Sequence, residues 1–126
     1  MNLEHVERLR VAWIDTDAGG RIHFSNAFRW AEAAEIGLIR EVLSVEEWAD
    51  FPRKHVQAEF LNVLRFDDEI EVRIRVDRLG TTSITYAWTI SKDGEPYVLG
   101  GHTVVHVDAD GRPSPIPDRI RQALSG

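Results

Sequence analysis

Along the chain the most regular pattern lies at Ile70, Val72, Ile74 and Val76, which alternate with Glu69, Glu71, Arg73, Arg75 and Asp77. A period of two puts the aliphatic side chains on one face of a strand and the charges on the other. After the turn "DRLGTTS" the pattern resumes, with Ile84, Tyr86, Trp88 and Ile90 alternating with Ser83, Thr85, Ala87 and Thr89. "KDGEP" carries the Asp-Gly pair of a tight hairpin and leads into a further strand over 97–107. Two more runs read as strands: residues 54–64, beyond Pro52, and residues 6–14, with Leu9, Val11 and Trp13 on one face.

A different period separates the first strand from the rest. Ala27, Trp30, Ala31, Ala34, Leu38 and Val42 follow the i, i+3, i+4, i+7 spacing of a core-facing helical stripe. Ser25 and Asn26 are both suitable N-cap residues for it. The three alanines predict close approach to a sheet. Gly37 costs a helix about 1 kcal/mol relative to alanine, so packing has to hold that turn. Ser44 and Glu47 have capping-box spacing for a short second helix, and residues 117–124 suit a terminal one. Strand, long helix and four further strands joined largely by hairpins predict an α+β fold: about five mostly antiparallel strands in a sheet wrapped around one long central helix.

Bulk properties narrow the function. The 126 residues are 43% hydrophobic, which fits a single domain over 1–126. The formal net charge of −6 disfavours nucleic acid and anionic membrane as partners, because both reward a basic surface. With no cysteine, disulfides, thiolate nucleophiles and Cys-based zinc sites are excluded. The charged amino terminus has no apolar core of a signal peptide, and no stretch has the ~20 apolar residues of a membrane span. The expected compartment is the cytoplasm. His102 and His106 share a strand face but would sit roughly 13 Å apart at ~3.3 Å per residue, too far for one metal ion.

The remaining chemistry concentrates in "DTDAGGRIHFSNAFRWAEAAE", residues 15–35. Aspartate and glycine are ordinary turn residues on their own. Here the turn leads directly into the start of the long helix, so a carboxylate and the unpaired N–H groups of a helix start face the same space. Asp15 reads as a structural residue bonding backbone within the turn.

This stretch resembles the hotdog-fold acyl-CoA thioesterases, and within them the 4-hydroxybenzoyl-CoA thioesterase group that includes the YbgC-type enzymes. The resemblance is carried by Asp15, Asp17, Gly20, Ile22, His23, Phe24, Asn26, Phe28, Arg29, Trp30 and Glu32, and is supported by "AEFLNVLRFDDEIEV" at residues 58–72. It implies a hotdog fold, active sites at the interface of a homodimer, dimers that often pair into tetramers, and neither metal nor organic cofactor. It also implies that Asp17 is the catalytic carboxylate and that the backbone N–H of Phe24 polarises the thioester carbonyl. Asp17 would then attack the thioester carbon or deprotonate water, while N–H donors stabilise the oxyanion.

Residues that could line the substrate are Gly20 and His23 in the turn, Trp30 on the helix, the basic run Arg53, Lys54 and His55, and Arg78 before the "LGTTS" turn. Arginine, lysine and histidine there would meet coenzyme A phosphates. Several YbgC-type enzymes have a functional histidine where this chain has Phe24. Some relatives have an arginine pair where Gly80 and Thr81 stand. Glu32 and Glu35 read as structural or solvated, although another hotdog branch places a catalytic glutamate on the helix. The competing functions are a non-catalytic acyl-CoA-binding module and a hotdog hydratase or dehydratase.

Overall fold

A computed structural model describes residues 3–125. Five strands form one antiparallel sheet: β1 (Glu4–Arg10), β2 (Arg53–Phe60), β3 (Glu69–Leu79), β4 (Ser83–Lys92) and β5 (Glu95–Val105). Their spatial order is β1-β3-β4-β5-β2. Strands β3, β4 and β5 follow one another as hairpins, whereas β2 crosses to the far edge beside β5. The long helix α1 (Asn26–Ile39) lies across the sheet on β1 and β3, and two short helices, α2 (Val45–Trp48) and α3 (Asp118–Leu124), complete the chain.

Alternation fixes the sheet's faces. Ile70, Val72, Ile74 and Val76 point inward and pair in register with Ile90, Trp88 and Tyr86 of β4 or with the strand β1 beyond. Each such aliphatic contributes roughly 1.5–3 kcal/mol by leaving water, and a one-residue slip would turn all four outward. From α1, Ala27, Trp30, Ala31, Ala34 and Leu38 complete the core. The hairpin between β4 and β5 turns on Asp93 and Gly94, both with positive φ (51° and 81°), as the sequence predicts for an Asp-Gly pair. Gly37 sits where any Cβ would overlap the His5 ring and crowd the Glu7 carboxylate of β1. The missing side chain therefore lets α1 close onto the His5–Glu7 pair.

Three expectations shift. Val42 falls beyond the end of α1 and is half-buried. The second strand runs from Arg53 to Phe60 rather than to 64, and the last from Glu95 to Val105. The first strand stops at Arg10, and Trp13 is 71% exposed instead of inward. The reason is local. Val11 exchanges backbone bonds with Asp68 and Asp67 (both 2.9 Å), and the Asp15 carboxylate takes the Ala12 N–H at 2.8 Å. Those bonds turn residues 13–15 into a 3-10 turn, so the strand's period ends there.

Candidate active site

The segment between Val11 and Asn26 is built around a buried carboxylate. Asp15 is 2% exposed. Its side chain accepts the Ala12 N–H and pairs with Arg29, and its carbonyl accepts the His23 N–H and the Asn26 side-chain amide, both at 2.8 Å. Arg29 Nε in turn donates to Asn26 Oδ1 at 3.1 Å. Asp15, Asn26 and Arg29 thus lock the turn to the first turn of α1.

On that frame Asp17 occupies an exposed tip. Its N–H bonds the Arg21 carbonyl at 2.7 Å, its carbonyl accepts from Gly20, and Thr16 bridges Ile22. Gly20 has φ +80°, which a β-carbon would strain. One Asp17 oxygen accepts the Gly19 N–H at 2.7 Å. The other has no partner among the described residues and faces solvent. The Ile22 N–H, bonded to Leu64 O at 3.0 Å, ties the tip to the segment after β2.

The start of α1 differs from the expected cap. Ser25 already has helical dihedrals and makes no side-chain cap bond. His23 performs that function instead: its Nδ1 accepts the Ser25 N–H at 3.3 Å and contacts Ser25 Oγ at 2.8 Å, and its carbonyl accepts the Asn26 N–H. Phe24 is then the first residue inside the helical turn, and its N–H has no acceptor among the described residues. An N–H left free at a helix start, with the positive end of the helix dipole behind it, is a donor for developing negative charge. His23 and Phe24 rings stack at 4.6 Å, and Trp13 packs edge-on against Phe66 at 5.4 Å. Both pairs are open to solvent beside the turn.

The other candidate residues lie outside the turn. Trp30 is 3% exposed and belongs to the core. Lys54 and His55 are exposed on β2. Arg78 lies nine residues along β3 from Glu69, about 30 Å from the Asp17 end of the sheet at strand rise. It shares a cross-strand row with Thr85, Thr103 and His55, so the basic candidates cluster at the opposite end of the sheet.

Arg53 points elsewhere. Its guanidinium donates to the Glu35 carboxylate at 2.7 Å, and this carboxylate is fully buried. Glu35 also accepts from His102 Nε2 at 2.8 Å and from Trp48 Nε1 at 2.9 Å. Trp88 Nε1, which can only donate, reaches His102 Nδ1 at 3.1 Å. That bond requires a bare Nδ1, so the proton that His102 offers to Glu35 sits on Nε2. Burial alone would raise the Glu35 pKa. Hydrogen bonds from His102 and Trp48 and the charge of Arg53 outweigh it and hold the carboxyl below its ordinary 4.5. Burial, reinforced by the Glu35 charge, pushes the neighbouring Tyr86 phenol up. Glu35 is therefore a structural residue, fully bonded and out of reach of the turn's solvent-exposed face. His106 is separate from this cluster, with its Nδ1 near the Ser114 carbonyl. Among the described residues no group of histidine, aspartate and glutamate has the arrangement of a metal site.

The model of the thioesterase-like superfamily matches residues 11–124. The chain belongs to that superfamily. Its fold is the hotdog fold, and its reaction class is thioester hydrolysis. A 1,4-dihydroxy-2-naphthoyl-CoA hydrolase from a Synechococcus species is 29% identical over 124 residues, covering 87% of this chain and 92% of that protein. A predicted thioesterase from Bacillus stearothermophilus superposes with a TM-score of 0.88 at 25% identity, over 97% of this chain and 94% of the other. A thioesterase from Thermus thermophilus, solved with coenzyme A and zinc, gives a TM-score of 0.85 at 25% identity, over 93% and 90%.

Proposed function

We propose that this thioesterase-like chain hydrolyses acyl-CoA thioesters as a homodimer, with Asp17 as nucleophile or general base and the Phe24 N–H as oxyanion donor. The observation that carries the reading is the pairing of two unsatisfied groups on one rigid frame: a free oxygen of Asp17 and the orphan N–H of Phe24. In one route Asp17 attacks the carbonyl carbon, the thiolate leaves, and water cleaves the resulting mixed anhydride. In the other Asp17 takes a proton from the attacking water. Both routes need the same donor aimed at the carbonyl oxygen.

The sheet's open edge supports the dimer. Strand β2 lies at the edge, exposed along nearly its whole length, with Val56 and Phe60 each 44% exposed. An exposed apolar edge strand is a template for a second chain. Its Phe60 end leads to Leu64 and the Asp17 turn, whereas its Arg53 end adjoins Lys54, His55 and the row containing Arg78. Antiparallel pairing of two β2 strands brings the basic end of one protomer beside the Asp17 end of its partner. A substrate with a reactive carbonyl at one end and phosphates at the other needs both ends together. Coenzyme A in the Thermus protein supports that carrier, and the dihydroxynaphthoyl-CoA hydrolase supports an aromatic acyl group, for which the exposed aromatic pairs beside the turn supply stacking partners.

The test is turnover of a panel of aromatic and aliphatic acyl-CoAs, followed by release of free thiol, with sedimentation velocity on the same sample. The expected result is hydrolysis with aromatic acyl groups preferred, from a particle of two chains or of paired dimers. Binding of acyl-CoAs without thiol release would replace this reading by that of a binding module.

A further inference from the structure

Close to the Asp17 tip the chain places two arginines directly opposite one another. Arg21 and Arg65 form an antiparallel backbone bridge. Residues opposed in this way project to the same side with β-carbons about 4.5–5.5 Å apart, and like charges there repel. Both side chains are exposed, and neither has a carboxylate within 4.0 Å among the described residues. The nearby acids are already engaged: Asp67 pairs with Arg10, and Asp68 with Lys92 at 2.9 Å and with the Arg65 N–H at 2.8 Å. In a chain of net charge −6 this is a local excess of positive charge without an internal partner.

The pair also adjoins the reacting group. A β-carbon placed on Gly19 would lie 3.2 Å from Asp17 Oδ1 and 3.3 Å from Arg21 Nε, so carboxylate and guanidinium are no further apart than those two distances end to end. One cation would suffice to balance Asp17. The second adds repulsion across the bridge, with no carboxylate of its own to offset it.

We propose that Arg21 and Arg65 form an anion-reading pair that selects acyl groups bearing a carboxylate near the thioester carbonyl. This rests on the reading of Asp17 as the group that meets that carbonyl. Coenzyme A also carries anions, but the whole pantetheine arm separates its phosphates from the sulfur. A group so near Asp17 therefore faces the acyl side of the bond. Two guanidinium groups projecting to one side match a carboxylate by charge-assisted hydrogen bonds, and they offset the repulsion that Asp17 would otherwise exert on an anionic substrate.

The test uses unreactive thioethers, so that it does not depend on turnover. S-(4-carboxybenzyl)-CoA and S-(4-methylbenzyl)-CoA are titrated calorimetrically into the wild type, Arg21→Gln, Arg65→Gln and the double variant. The expected result is that the wild type binds the carboxyl compound more tightly by about tenfold or more, the worth of one charge-assisted pair. Each single variant loses part of that preference and the double variant all of it, with thermal midpoints equal to or above wild type because a repulsion is removed. The preference should persist with the matching N-acetylcysteamine thioethers, which lack phosphates. No preference in the wild type overturns the proposal. So does an equal loss of affinity for both CoA compounds in the double variant that disappears without the phosphates, because the pair would then read the nucleotide. Hydrolysis of a neutral acyl-CoA by the wild type and its loss in Asp17→Asn judge the Asp17 reading separately.

Discussion

Replacing Glu35 probes the buried cluster that ties α1 to the sheet. Glu35→Ala removes the acceptor for His102, Trp48 and Arg53 at once. Leaving the His102 and Trp48 donors unsatisfied costs about 1–3 kcal/mol each, about 3–5 kcal/mol together. Arg53 is 28% exposed and can regain water, so the stranded His102 and Trp48 donors account for most of the loss. For a chain of this length 1 kcal/mol moves the thermal midpoint by about 4 °C, so the shift should be roughly 10–20 °C. Glu35→Gln keeps the volume and an acceptor for His102, but its amide N–H2 must face Trp48. Its cost should be about 1.5–3 kcal/mol. The native carboxyl is held below its ordinary 4.5. A carboxyl depressed in the folded state adds stability that is present above its unfolded value and is lost as pH falls through its folded value. The gap between wild type and Glu35→Gln should therefore be constant near neutrality and close in acid. Urea unfolding at fixed protein concentration from pH 7 downward reads this directly. A gap under about 0.5 kcal/mol at pH 7, within the range of ordinary surface changes, would refute the reasoning, as would one that survives acidification unchanged.

Other expectations concern the frame of the turn. Gly20→Ala forces a β-carbon into φ +80° and should cost about 1 kcal/mol or more in stability, with a larger drop in kcat than in substrate affinity, measured by steady-state kinetics. Asp15→Asn cannot form the ion pair with Arg29. It should lower both the thermal midpoint and kcat, and both should fall much less in Asp15→Glu if the buried charge, rather than its exact reach, dominates. Gly100→Ala would drive a methyl group into the buried Trp88 ring and destabilise by about 1–3 kcal/mol in denaturant unfolding.

The strands β3 and β4 are legible in the sequence because one face of each is fully buried, and burial imposes a strict period of two. The alanine stripe of α1 is legible for the same reason. The helix start is harder to read: Ser25 and Asn26 are both of cap type, yet His23 makes the cap because its carbonyl and ring face the first free N–H groups. Glu35 falls on the apolar stripe, one turn from Ala31 and beside Ala34, and periodicity cannot distinguish a buried charge from a solvated one. Its partners Trp48, Arg53 and His102 stand 13, 18 and 67 residues away, so only the folded sheet brings them together. The same separation redirects Arg53 from a surface cation to a structural one. Asp17 is legible through the motif around it, whereas the opposition of Arg21 to Arg65 depends on a bridge between distant segments.

Asp17 is the residue proposed to perform the chemistry. Its most direct test is kcat for the best acyl-CoA substrate with the wild type and Asp17→Asn, with the fold checked by circular dichroism and binding by an unreactive thioether. A loss of about 10²–10⁴-fold in kcat is expected, with fold and affinity retained. A variant that folds, binds and turns over within a few-fold of the wild type would contradict it.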